Sequence, residues 1–170
     1  MKNNTSKNGM FIAMILMIVI IGITITGCFN RNGTPSKEEF QAAIDGTWSE
    51  SVGSDDPDFL KAIDEISSYK IVSIEEGDFY TIHVKVTGID LGVELDGMDQ
   101  SLALEGEEAM NAYLLELIGR CPQVETETVI YATLADDGLQ ITFSDTFVDA
   151  MSGKIYSYYT QKIEEMMGGS

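Results

Sequence analysis

The stretch FYTIHVKVT, Phe79–Thr87, alternates its side chains residue by residue. Tyr80, Ile82, Val84 and Val86 point one way; Thr81, His83, Lys85 and Thr87 point the other, the pattern of a strand with one buried and one open face. An acidic turn, Glu75-Glu76-Gly77-Asp78, precedes it, and Tyr69–Ile74 alternates in the same manner before the turn. These two segments make a hairpin. A second hairpin follows downstream, with a long strand at Val124–Ala135, a turn at Asp136-Asp137-Gly138, and a return at Leu139–Phe143 that places Leu139, Ile141 and Phe143 on one face. Gly88–Leu95 is expected to extend the first hairpin past a bulge or bend at Gly88.

Helical segments flank and separate the hairpins. Ser36-Lys37-Glu38-Glu39 fits a capping box, in which a serine hydroxyl and a glutamate carboxylate each accept from the other's free backbone N–H. The helix it opens, over 37–45, places Phe40, Ala43 and Ile44 on one face and is expected to stop at Gly46. Gly46–Asp56 reads as a loop holding Trp48. Asp56-Pro57 then opens a helix over 57–67 with Phe59, Ile63 and Ile66 in phase. Gly97–Gln100 reads as a loop. Glu105–Ile118 is a strong amphipathic helix, with Met110, Tyr113, Leu114, Leu117 and Ile118 on one stripe and Gly119 and Pro122 closing it. Ser144 or Asp145 caps a final helix whose inner face is Val148, Met151, Ile155, Tyr159 and Ile163, kinked or split at Gly153.

Hairpin-linked strands with a helix between the hairpins specify an α+β fold, a curved antiparallel sheet packed against helices. Residues 36–167 form the expected single domain, and 168–170 a frayed tail. The expected core is Phe40, Ile44, Phe59, Ile63, Ile82, Val84, Met110, Leu114, Leu117, Ile130, Ile141, Phe143, Val148 and Ile155. The alternative, a lipocalin-like barrel suggested by Gly46-Thr47-Trp48, is opposed by the helix over 105–118.

The N-terminal segment concerns location. Met1–Gly9 is polar and carries Lys2 and Lys7 without an acid, and Met10–Thr26 is the almost unbroken apolar run MFIAMILMIVIIGITIT. A basic start, an apolar middle and a small-residue cut site make a secretory signal. The ending Ile25-Thr26-Gly27-Cys28 resembles the lipobox of bacterial lipoproteins. That resemblance implies cleavage between Gly27 and Cys28, a diacylglycerol on Cys28, and residues 28–35 as a lipidated tether. It implies a lipid-anchored protein on the extracytoplasmic face of the cell membrane. A retained transmembrane helix is the competing reading; the run sits at the lower limit of the about 17 to 25 residues a span requires. Both readings place the remainder on the same side of the membrane.

The chain holds 10 basic and 28 acidic residues. The first 27 residues contain two of the lysines and none of the acids, so removing them leaves 143 residues with a net charge of −20. Such a surface repels nucleic acid and anionic headgroups, so membrane attachment falls to the lipid; two acyl chains anchor stably where one is marginal. With Cys28 lipidated, Cys121 has no partner, and no intramolecular disulfide is available. Cys121 reads as a partly buried, inert thiol.

Tyr69–Asp90, YKIVSIEEGDFYTIHVKVTGID, resembles the middle of the nuclear-transport-factor-two-like (cystatin-like superfamily) domains of small bacterial lipoproteins, where a strand ending V-T-x-x-D follows an acidic hairpin. Glu127–Asp145, ETVIYATLADDGLQITFSD, resembles their closing hairpin. The chain departs from the pattern in having Leu139 or Ile141 where many relatives carry a tryptophan, and in its longer last helix. No catalytic residue carries over, because no position matches such a motif.

His83 is the sole histidine, which excludes any multi-histidine metal site. Its strand phase makes it a sheet-surface residue; if the polar face lines a cavity, it is the candidate pocket residue and could pair with a carboxylate in acid–base chemistry. The acidic run from Asp90 to Asp99 fails the calcium-loop spacing, with Gly92 and Leu95 at the third and sixth positions. No nucleophile elbow, phosphate loop or C-x-x-C occurs. Tyr156, Tyr158 and Tyr159 read as packing residues. The expectation is a non-enzymatic binding or interaction module with no cofactor and no metal, recognising an unknown protein or small molecule. The alternatives are a small-ligand-binding or enzymatic domain using the concave sheet face with His83, and an immunity or inhibitor lipoprotein acting through its acidic surface.

Overall fold

The computed structural model describes residues 33–53, 56–95, 106–136 and 138–168. Its element order is α1 (Lys37–Ser51), α2 (Asp58–Ile66), β1 (Ser68–Glu76), β2 (Tyr80–Ile89), α3 (Gly92–Leu95), α4 (Glu107–Ile118), β3 (Gln123–Ala135), β4 (Gly138–Phe143), α5 (Asp145–Met151) and α6 (Ile155–Gly168). The four strands form one antiparallel sheet in the order β1-β2-β3-β4. The sheet is open, so the fold is α+β and no barrel forms. Glu105, Asp137 and the loop expected at 97–100 lie outside the described residues, as does the segment before residue 33.

Alternation builds the sheet's two faces. Ile82, Val84 and Val86 of β2 are buried together with Ile130 and Ala132 of β3 and Leu139 and Ile141 of β4, beneath Phe40, Ala43 and Ile44 of α1 and Phe147, Ala150 and Met151 of α5. A second cluster gathers Phe59 and Ile63 of α2, Met110, Leu114 and Leu117 of α4, and Ile155 of α6 around Ile89, Leu91 and Leu95. β2 feeds both clusters, through Val86 into the first and Ile89 into the second. Burial of such side chains, each contributing about 1.5–3 kcal/mol, is what holds the helices to one face of the sheet.

Local signals act where expected at several termini. The Ser36 hydroxyl accepts from Glu39 N–H at 3.2 Å, and the Glu39 carboxylate accepts from Ser36 N–H at 2.6 Å, which closes the capping box. Ser144 caps α5 by accepting from Phe147 N–H. Gly153, at φ 70°, splits the last helix in two, and Lys154 follows at φ 58°. Asp149 then caps α6 from outside, accepting from Ser157 N–H and from its hydroxyl, each at 2.8 Å. Leu91 N–H donates to Gly153 C=O at 3.0 Å, and Lys154 Nζ lies 3.2 Å from Asp90 Oδ2, so the α5–α6 break is tied to the end of β2.

Four expectations are corrected. α1 continues through Gly46 to Ser51, so Trp48 is helical and not in a loop. Tertiary contacts outweigh the glycine penalty: Thr47 is buried with its hydroxyl donating to Ala43 C=O, Trp48 Nε1 donates to Asp64 at 2.6 Å, and the indole packs edge-on against Phe143 and Phe147. Asp56 accepts from Gly53 N–H in the preceding turn, and α2 begins after Pro57. The register shift lies in β1, between Ile71 and Ser73, whereas Gly88 pairs in unbroken register with Val124. Val148 and Phe143 are only half-buried; α5 buries Phe147, Ala150 and Met151, with Phe147 fully buried. The side chain of Tyr159 lies outside what the structure describes.

Candidate functional site

With helices covering one face of the sheet, the other is open. Its residues follow from strand phase and register. Ser73 and Glu75 of β1 stand beside His83 and Thr81 of β2; these pair with Val129 and Tyr131 of β3, and Tyr131 with Thr142 of β4. Towards the opposite end, Lys70 and Lys85 stand opposite each other, and Lys85 also pairs with Glu127. Lys85 Nζ lies 2.6 Å from Glu125 Oε2, a hydrogen bond that raises the ammonium above its ordinary pKa.

His83 sits on this face. Its side chain is 39% exposed, although Nε2 itself is covered. Glu75 Oε1 lies 3.3 Å from Nε2, within ion-pair distance but without the alignment of a hydrogen bond. The Glu75 side chain is 71% exposed, so the pair lies on an open surface. Sequence reasoning placed His83 on the polar face, and the structure sets it beside a carboxylate there.

A concave feature of this face lies away from His83. A shallow cavity of about 260 Å³ is lined by Phe79, Tyr131, Ala132, Thr133 and Thr142. His83 is not among its walls. The Phe79 and Tyr131 rings meet edge to face, with centroids 5.5 Å apart at 84°. They are 47% and 37% exposed; Tyr131 stands in the polar phase of β3, and Phe79 is the turn residue immediately before β2. Sequence reasoning missed this pair. The available signal was that Phe79 shares its phase with Thr81, His83 and Lys85, which puts a large ring among solvent-facing positions.

Among the described residues no Asp or Glu is buried. No group of three or more His, Cys, Asp or Glu among them could hold a metal ion. Cys121 is half-buried and free, packed against the second cluster, and burial, then Glu94 and Asp90, push its thiol pKa up. Tyr158 is half-buried and donates to Leu95 C=O at 3.1 Å, whereas Tyr156 is exposed. Gly27, Cys28 and the apolar run lie outside the described residues; none of the described helices is long and apolar enough to cross a membrane.

No family model, curated protein or solved structure matches this chain.

Proposed function

We propose that the protein is a lipoprotein, anchored through a diacylglyceryl Cys28 on the extracytoplasmic face of the cell membrane, and that its folded part is a non-enzymatic interaction module. The observation that carries the location is the lysine-flanked apolar run ending in Gly27-Cys28. The free sheet face supports the interaction role: helices bury one side of the sheet, and the other presents exposed aromatic and charged side chains. The His83–Glu75 pair is the one observation that favours an acid–base enzyme. Its placement on an open surface, apart from the cavity, supports the binding reading instead. The likeness of the two hairpins to nuclear-transport-factor-two-like lipoprotein domains belongs to the same proposal, since such folds serve many roles.

Metabolic labelling with a fatty acid tests the anchor. The wild-type chain should incorporate label, and Cys28→Ala should abolish it and leave the precursor uncut. An unlabelled wild-type protein would remove the lipobox reading. Capture of envelope proteins on the full chain tests the role, and recovery of a small metabolite in place of any protein would count against it.

A further inference from the structure

We infer that the turn end of the open sheet face seats an arginine-bearing segment of a basic polypeptide partner. This rests on the interaction-module reading and adds the place and the chemistry. The cavity's two rings, Phe79 at the end of the β1–β2 turn and Tyr131 of β3, are large groups that stand exposed on this face, and they meet at 84°. Edge-to-face packing leaves π surface free at the corner between them, beside the hydroxyl-bearing Thr133 and Thr142.

Charge chooses the occupant. The β1–β2 and β3–β4 turns lie at the same end of the sheet, because four consecutive strands alternate in direction. That end carries Glu75, paired with Thr81; Asp78, immediately before Phe79; and Asp136, immediately after β3, all exposed. The lysines of this face, Lys70 and Lys85, lie towards the opposite end. A cation placed over an aromatic face within about 6 Å is attracted by the ring, and a guanidinium also stacks on rings and forks to carboxylates. A chain of net charge −18 adds long-range attraction for a basic partner and repels nucleic acid and anionic lipid.

The test uses the full chain in neutral detergent micelles at physiological salt. The probe is an acetylated, amidated peptide of alternating arginine and serine, compared with its lysine–serine counterpart. Amide shift changes should concentrate at Phe79, Tyr131, Thr133 and Thr142. Phe79→Ala or Tyr131→Ala should each weaken the Kd by about 2- to 30-fold, the range of one cation–π contact. Tyr131→Phe keeps the ring and should keep the affinity, and the arginine peptide should outbind the lysine peptide. Unchanged Kd in both alanine variants, shifts spread over the whole acidic surface, or no binding at millimolar peptide would each overturn the assignment. Displacement of the peptide by tetramethylammonium at matched ionic strength would overturn it in favour of a small cation. Should an alanine variant melt early, Phe79→Leu and Tyr131→Leu remove the π face while keeping bulk, and the same outcomes apply. Envelope capture with the wild type and the Phe79→Ala, Tyr131→Ala double variant separates the two levels. A protein partner held equally by both removes this face and leaves the interaction module standing.

Discussion

Gly88→Ala should destabilise the fold, for a reason visible only in three dimensions. A Cβ built on Gly88 would stand 2.7 Å from the backbone oxygen of Ala150, well inside contact distance. Neither side yields cheaply. Gly88 is held in the β2–β3 register opposite Val124, and Ala150 lies in α5, where Phe147, Ala150 and Met151 are buried against the sheet. Forcing an extra methyl into such a contact costs about 1–3 kcal/mol. Replacing glycine restricts the unfolded chain and returns about 0.4–1 kcal/mol. The net loss is therefore about 1–2 kcal/mol. With a urea slope of about 2 kcal/mol/M, the unfolding midpoint should fall by about 0.5–1 M at unchanged slope. Gly119→Ala is the paired control. Gly119 sits at φ −67° in ordinary helical space, and its Cβ would meet only Glu116 C=O at 3.6 Å. That variant should be neutral or slightly more stable. A Gly88→Ala protein as stable as the wild type would refute the close approach of α5 to β2.

Three further outcomes follow from named contacts. Phe147 is fully buried, stacked on Phe143 at 5.0 Å and edge-on to Trp48 and Tyr69, so Phe147→Ala should cost about 3–5 kcal/mol and shift Trp48 fluorescence; a loss below about 1 kcal/mol would contradict its place in the core. The Tyr69 hydroxyl donates to Asp45 at 2.6 Å, and burial, then Asp45, raise its pKa in the folded state above the ordinary 10.0, so its contribution is complete below that value and declines as pH rises past it; between about pH 10 and 12 the wild type should lose stability more steeply than Tyr69→Phe, as denaturant titration will show. Cys121, with its thiol pKa raised above 9.0, should alkylate more slowly at mildly alkaline pH than a cysteine in the urea-unfolded chain, and equal rates would contradict its packing.

The fold class was legible because alternation and hydrophobic periodicity are local. The capping box at Ser36, the two hairpins and the stripe through Met110, Leu114 and Leu117 are all written within single elements. What was not legible depends on partners distant in sequence. Gly46 signals a stop only until Trp48 finds Asp64, Phe143 and Phe147. Gly88 suggests a bulge, but it is there to admit Ala150, and the irregularity falls at Val72, where β1 slips against β2. Reading the last helix as one stripe selects Val148 with Met151 and Ile155; Met151 and Ile155 are buried, but α5, ending before the break at Gly153, turns Phe147 and Ala150 inward in place of Val148. The polar face and His83's place on it were readable from phase. Its neighbour Glu75 and the Phe79–Tyr131 corner required the register between strands.

Photo-crosslinking in the native envelope tests most directly whether an anchored module uses its free sheet face. A photoreactive residue replaces Thr142, at the wall of the cavity, or Glu116, on the exposed side of α4 as a control. A discrete protein adduct is expected from position 142 in the membrane fraction, absent from position 116 and lost from that fraction when Cys28 is replaced by alanine. No adduct from position 142, or the same adducts from both positions, would contradict it.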